Sequence, residues 1–399
     1  MSRTFYEFFA GGGMARIGLG PGWRCLVAND SDPAKCAAYR ANFGGEELIE
    51  RDVAALAAAD LPGRADLAWA SFPCQDLSLA GARRGMELGA RTRSGVFWAF
   101  WFLIERLAAE GRAPRAIVIE NVVGLASSAG GADFAALCEA LAGAGYRFDA
   151  HVLDAAAFVP QSRPRLFLTA WRGPAPAALR ADAADLAARP KALRRALARL
   201  DEGGAAAHLP LRLPAPPPRN VHLEDVIEAA PPRAAWKSRA ETAALLRMMT
   251  QANLARVEAA QARARDTGRA VAGGLFRRMR PDGRGGTVQR AEVRFDIAGC
   301  LRTPAGGSSR QILVIAEPDG RVRMRLFTGR ETARLMGLPD DYRLPERATA
   351  ALELTGDGVA APAARWIARA LVEPLLDAAD AARAPAAPAP ALAPGRASL

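Results

Sequence analysis

Histidine and lysine are nearly missing from this chain: three of each stand among 399 residues, against 50 arginines. None of His151, His208 and His222 lies close to Cys74, so the local signature of a cysteine–histidine hydrolase is lacking. Cysteine is scarce as well. The five (Cys25, Cys36, Cys74, Cys138, Cys300) are odd in number and form no CxxC pair. That argues against a disulfide framework and against a zinc ribbon, and no metal is expected. No apolar run approaches the ~20 residues that span a bilayer. The longest aromatic-rich one, VFWAFWFLI at 96–104, is far shorter. No basic-then-apolar leader precedes TFYEFFAGGG, so the expectation is a soluble protein of the cell interior with no membrane partner.

What is present is globular in composition: half the residues are apolar and about a quarter charged. The length suffices for two domains with well-buried cores. The net charge of +11 is unevenly placed. Residues 263–330 hold fifteen arginines, no lysine and six acids, a local excess of nine positive charges. Compositional bias explains arginine over lysine but not the local shortage of acids. A polyanion footprint, nucleic acid above all, is the better reading.

Residues 1–171 alternate apolar runs with amphipathic stretches: TFYEFF, RCLVAND, ADLAWASF, RAIVIENV, YRFDAHVLDA and RLFLTAW are separated by helix-like segments. Such alternation predicts an α/β fold whose mostly parallel sheet is covered on both faces, with ligands at the C-terminal strand ends. The first domain is placed at 1–175 and completed by a C-terminal helix at 352–377. A linker rich in Ala, Arg and Pro, with some helix in DLAARPKALRRALARL, is expected over 176–220. A smaller second domain is placed at 221–345, and an Ala/Pro-rich disordered tail at 378–399.

Four motifs stand near predicted strand ends. EFFAGGG at 7–13 offers a sharp glycine turn with free N–H groups, although neither GxGxxG nor GK[ST] is present. By itself this could equally be a structural turn. Asp30, about 20 residues on, and Asp52 are suited to ribose hydroxyls and an adenine amino group. Each alone also reads as a helix cap. Cys74, in WASFPCQ, is a thiol where a strand gives way to a loop, and a nucleophile if its thiolate is stabilised. Glu120 and Asn121 end the strand AIVIE. In QSRPR, Arg163 and Arg165 stand two apart and would point to one side of an extended segment.

These residues, in this order, resemble the DNA (cytosine-5)-methyltransferases. FFAGGG is similar to that family's opening cofactor motif, FPCQ to its nucleophile motif, ENV to its carboxylate motif and QSRPR to its Q-x-R-x-R motif. LTGDGVAAPAARWIA resembles the closing motif that brings the C-terminal helix back to the first domain. The resemblance covers most of 4–171 and about 295–376; 175–290 falls where the family has its variable target-recognition segment. It implies a Rossmann-like S-adenosylmethionine-dependent domain plus a smaller target-recognition domain. S-adenosylmethionine would lie against Phe9, Ala10, Gly11, Gly12 and Gly13. Asp30 and Ser31 would meet its ribose and Asp52 and Val53 its adenine, with Pro73, Asp357 and Gly358 nearby. Positions 7 and 30 exchange the family's usual Asp and Glu. Asp357 stands where the family usually carries Asn; such a charge must be paired or protonated if buried.

The family chemistry implied for this chain starts with attack of the Cys74 thiolate at C6 of a flipped cytosine, which makes C5 able to take the methyl group. Glu120 would engage N3 and the exocyclic amine, while Arg165, with Arg163 beside it, would hold O2 and lower the thiol's pKa. DNA contacts are expected from Gln75, Ser78, Arg83, Arg84, Arg91, Arg93, Arg302 and Arg310, those in 76–95 belonging to a lid. The expected partner is double-stranded DNA, in a restriction–modification setting with a cognate endonuclease or without one. A monomer at the bacterial or phage-type nucleoid is the default. The rivals are a tRNA cytosine-5 methyltransferase and a catalytically silent DNA-binding protein on the same scaffold.

Overall fold

Strands whose side chains are apolar on both faces build the first sheet. In β1 (Arg3–Phe8), β4 (Leu67–Ala70) and β5 (Ala116–Val122) nearly every residue is buried. Their alternation sorts the side chains into two cores. Phe5, Leu67, Trp69, Ala116 and Val118 enter one, and Tyr6, Phe8, Ala68, Ala70, Ile117 and Ile119 the other. The computed structural model describes residues 2–73, 95–229, 231, 236–283, 285–303 and 310–383.

With β2 (Trp23–Asp30), β3 (Leu48–Glu50), β6 (Arg147–Asp154) and β7 (Pro164–Trp171), the sheet has seven strands in the order β3-β2-β1-β4-β5-β7-β6. β1 to β5 run parallel, and β7 is antiparallel to both β5 and β6. The chain leaves β1 toward β2 and later returns on its other side through β4. This switch point opens a crevice beyond the C-terminal ends of β1 and β4, where Phe9–Gly13 and Ser71–Pro73 lie. Helices Met14–Leu19 (α1) and Pro33–Phe43 (α2) follow β1 and β2. Asp32 caps α2, accepting from Ala34 N and Lys35 N.

The second sheet is antiparallel, ordered β11-β10-β8-β9: β8 (Val271–Pro281), β9 (Thr287–Phe295), β10 (Ile312–Ala316) and β11 (Val322–Leu326). The helix Gln251–Thr267 contributes Val257 to its core, with Leu275, Val293, Val314 and Met324. Its other end is different. Arg277 to Pro281 of β8 are all exposed, so the β8–β9 hairpin projects as an arm. No helix among the described residues is long and apolar enough to cross a membrane.

Two segments are more ordered than expected. Residues 176–220, where some helix is expected, are helical at Ala183–Ala188, Lys191–Leu197 and Glu202–Ala207 and do not form a loose spacer. The segment is fastened to the sheet edge at Asp149 of β6, fully buried. Arg189 donates to both carboxylate oxygens at 2.8 and 2.6 Å, His208 Nε2 lies 2.9 Å away, and Leu211 N donates at 2.7 Å. These bonds and Arg189 hold the Asp149 pKa down to about 2 despite burial. Nor does the ordered chain stop at 378. The helix Glu373–Ala381 buries Leu375, Leu376 and Ala379 and pairs Asp380 with Arg115; residues 384–399 lie outside the described part.

The return to the first core also begins before 352, with Leu335, Met336, Leu338 and Tyr342 already in it. The helix Ala361–Ile367 then packs on α1 at a distance only glycine permits. A Cβ on Gly18 would stand 2.6 Å from both Ala361 O and Ala364 Cβ.

Candidate active site

The glycine turn is built from unusual backbone. Phe9 has φ +57°, rare for an aromatic residue, and Gly11 and Gly13 are left-handed at +54° and +75°. The turn is held from three sides. Ala10 N donates to Asn29 O at 2.9 Å, Gly11 N to Asp30 Oδ2 at 2.8 Å, and Tyr342 Oη to Gly12 O at 2.8 Å. Any Cβ on Gly12 would lie 2.2 Å from Tyr342 Oη, which explains the bare backbone there. Asn29, buried, joins β2 to the end of β3 by donating to Ile49 O and Arg51 O. Ser31 and Asp52 are exposed on this rim, and Asp52 caps the short turn at Val53, accepting from Ala54 N.

Glu7 lies beneath the turn, 2% exposed. Its Oε1 accepts from Arg16 N at 3.2 Å, while Oε2 is buried with no hydrogen-bond partner. Burial pushes its pKa up to about 8, outweighing the hydrogen bonds and the charge of Arg16. The side chain is therefore mostly protonated at neutral pH. A glycine turn with the carboxylates Asp30 and Asp52 around one crevice fits a cationic cofactor bearing an adenosine. Phe9 and Phe72, in edge-to-face contact at 6.3 Å, supply the apolar wall.

Across the switch point stand the catalytic candidates. Glu120, at the C-terminal end of β5, is 5% exposed, and its Oε1 lies 3.2 Å from Arg165 Nε. Register explains the meeting: Glu120 pairs with Phe167 and Val122 with Arg165, so Glu120 and Arg165 are diagonal neighbours on one face. Burial raises the Glu120 pKa, opposed by Arg165, then Arg163, then the Ser71 hydroxyl. Asn121, next in the strand, turns to the other side and donates from Nδ2 to Phe72 O at 3.1 Å. It thereby fixes the chain at Phe72–Pro73, the last described residues before Cys74. Cys74 itself, with Gln75, Ser78, Arg83, Arg84, Arg91 and Arg93, lies outside the described residues.

Arg163 lies on the same side as Arg165, both guanidinium groups meeting Cys300 Sγ, but its other partners differ. It precedes β7, is 1% exposed, and spends its guanidinium on main-chain carbonyls: Leu301 O at 3.0 Å, Gly356 O at 2.7 Å and Gly358 O at 2.7 Å. Burial, helped by Arg165, lowers its pKa to about 10, so it stays charged at neutral pH. Arg163 is thus a clamp between the start of β7, the second domain and the closing segment, and only Arg165 faces Glu120. Gln161, fully buried, runs parallel to it, accepting from Leu301 N at 3.0 Å and donating to Leu335 O at 2.7 Å.

Asp357 is half-exposed and paired, its Oδ2 2.8 Å from Lys35 Nζ, so its charge is not stranded. Gly358 abuts α1, where an added Cβ would meet Met14 Sδ at 2.2 Å. A cleft runs from Pro164 and Cys300 out to Arg277, Arg278, Arg302 and Arg310. Arg302 and Arg310, expected at the DNA, both line this cleft. Sequence reasoning missed Arg277 and Arg278 as individuals, although they lie in the basic stretch. Cys300 was missed with no signal at all; its Sγ is 3.5 Å from Arg163 Nη1 and 3.9 Å from both Nη atoms of Arg165.

Comparison with known proteins gives a consistent result. The profile of the family described as C-5 cytosine-specific DNA methylase matches residues 3–373. The chain is 27% identical over 366 residues to the type II methyltransferase M.NlaX of Neisseria lactamica, covering 91% of this chain and 94% of that one. With M.HhaI of Haemophilus parahaemolyticus identity is 31% over 170 residues, 42% of this chain and 49% of that one. Among solved structures, the S. pombe Dnmt2 methyltransferase superposes with a TM-score of 0.54 at 17% identity, covering 94% of this chain and 99% of that one. A putative DNA modification methyltransferase from an E. coli prophage gives 0.52 at 17% identity, covering 95% and 100%. These two share the fold.

Proposed function

Because the chain belongs to the C-5 cytosine-specific DNA methylase family, we propose that Cys74, Glu120 and Arg165 carry out its methyl transfer, with Arg163 holding the site together. The chain is a DNA (cytosine-5)-methyltransferase that uses S-adenosylmethionine. The cofactor, when bound, supplies a methyl group on a sulfonium. Its adenosine is assigned to the crevice lined by Phe9, Asp30 and Asp52, with the glycine turn beside it.

The Cys74 thiolate adds to C6 of a cytosine turned out of duplex DNA, and the electron pair displaced from the ring makes C5 nucleophilic. Glu120, protonated more readily than an exposed carboxyl, shares its proton with N3 and accepts from the exocyclic amine as charge develops. Arg165 steadies both Glu120 and the O2 side of the ring. After C5 takes the methyl group, its proton leaves and the electrons of that bond expel Cys74, restoring the aromatic ring. The observation that carries this reading is the buried Glu120–Arg165 pair beside a strand end that Asn121 fixes one residue before the Pro73–Cys74 step.

The family match and the type II relatives favour duplex DNA over tRNA, and the arm and the arginine-lined cleft suit a phosphate backbone. A buried carboxyl and arginine kept in place argue against a catalytically silent binding protein. A restriction–modification setting agrees with the type II names of the relatives; a cognate endonuclease, a monomeric state and action at the nucleoid belong to the proposal. Bisulfite sequencing of DNA from cells expressing the wild-type chain and Cys74→Ser, with methyl incorporation into duplex DNA and tRNA measured alongside, tests the nucleophile and the substrate. Protected cytosines at one recurrent sequence are expected from the wild type alone. Methylation by the Cys74→Ser chain, or methyl incorporation into tRNA and not duplex DNA, would overturn the reading.

A further inference from the structure

Lysine is used three times in this chain, and one of the three meets the single closing-motif residue that departs from the family pattern. Lys35 Nζ and Asp357 Oδ2 are 2.8 Å apart although 322 residues separate them. The Lys35 side chain is 23% exposed and that of Asp357 47%, so the pair lies at a rim rather than in open solvent. Its two ends belong to segments that bear on the glycine turn and on the helix that follows it. Lys35 lies in the first turn of α2, five residues after Asp30, the carboxylate that holds Gly11 N. Asp357 is flanked by Gly356, whose carbonyl Arg163 binds, and Gly358, which rests on Met14 at the start of α1.

We propose that Lys35 and Asp357 form an ionic clasp that closes the returning C-terminal segment over the cofactor crevice, making Lys35 a positioning residue for S-adenosylmethionine. The proposal rests on the function assigned above. Asp357, in direct contact, and then Asp30 and Asp32 all favour the charge of the ammonium. Together they outweigh the burial that disfavours its charge, so Lys35 stays protonated and ties the ribose-side acids to the closing segment. A neutral Asn at 357 could accept one hydrogen bond but could not draw a cation to it. A second fastening nearby acts in the same sense: Asn42, at the far end of α2, donates to Arg343 O at 2.9 Å and accepts from Arg343 N at 2.7 Å.

Isothermal titration of S-adenosylmethionine into the full chain, without DNA, tests the clasp in wild type, Lys35→Met, Asp357→Asn and the double variant, with Lys35→Arg as the charge-keeping control. Lys35→Met and Asp357→Asn should each raise Kd about fivefold, and the double variant no further, the coupling expected of a part-buried pair. Lys35→Arg should stay within about twofold, and high salt should erase the difference. KM for the cofactor should rise while kcat at saturating cofactor and DNA affinity stay level. Thermal melting of each variant separates loss of fold from loss of clasp. Affinities within about twofold of wild type, strictly additive effects, or a fall in kcat at saturation would overturn the proposal. Failure of the wild type itself to bind S-adenosylmethionine would instead count against the assigned function.

Discussion

Replacing Arg163 by methionine separates two arginines that the sequence puts side by side. The guanidinium makes three hydrogen bonds of 2.7–3.0 Å to carbonyls that have little access to water. Methionine fills much of the volume and leaves all three oxygens unpaired. At about 1–3 kcal/mol for each buried orphan, with some recovered by relaxation, the loss should be roughly 3–5 kcal/mol. For a chain of this size that is a fall in melting temperature of about 4–6 °C. Arg163→Lys should lie between, since one ammonium cannot reach three divergent carbonyls. Arg165→Met should behave differently. It breaks a single pair with Glu120, and the carboxyl can answer by keeping its proton, so stability should move by about 1 kcal/mol while turnover collapses. Circular dichroism melts read alongside tritiated-methyl incorporation decide the matter. If Arg163→Met melts within about 2 °C of wild type yet loses turnover, the clamp is wrong and Arg163 belongs with the base.

Glu7→Gln should flatten the alkaline side of the stability profile. The Glu7 pKa rises from its ordinary value of 4.5 to about 8 on folding. Its contribution is therefore whole below pH 4.5 and is lost as pH climbs through about 8. Urea unfolding at pH 6 and pH 9 should show the gap between variant and wild type widening at the higher pH; a constant gap would refute it. In the second domain, changing Arg277, Arg278 and Arg302 to alanine should weaken DNA binding and lower the salt slope by ~0.9 for each phosphate no longer neutralised. An unchanged slope in fluorescence anisotropy would remove the cleft from the DNA path.

The sheet and the order of its motifs were legible because they depend on local pattern: runs of buried residues, a glycine turn, and polar residues at strand ends. The position of Glu120 at the end of β5 could be read for that reason. What failed depended on contacts far apart in sequence. Arg163 reads as a twin of Arg165 from spacing, yet its partners are more than 130 residues away. The supposed linker shows its helix in the sequence but not its anchoring, because nothing local says that Arg189 and His208 converge on one buried aspartate. Asp357 is an anomaly in sequence and an ordinary ion-pair partner in space.

The seam between Gly18 and the helix Ala361–Ile367 has a consequence for synthesis on the ribosome. The first turn of the cofactor crevice is translated before either sheet is finished, but the wall against which it seats emerges only after both are made. A growing polypeptide therefore carries its reactive groups through most of its synthesis without a finished pocket around them. Competence arrives late, when that helix clears the exit tunnel, and an early stop anywhere before Ala361 should yield a product unable to modify a genome at all.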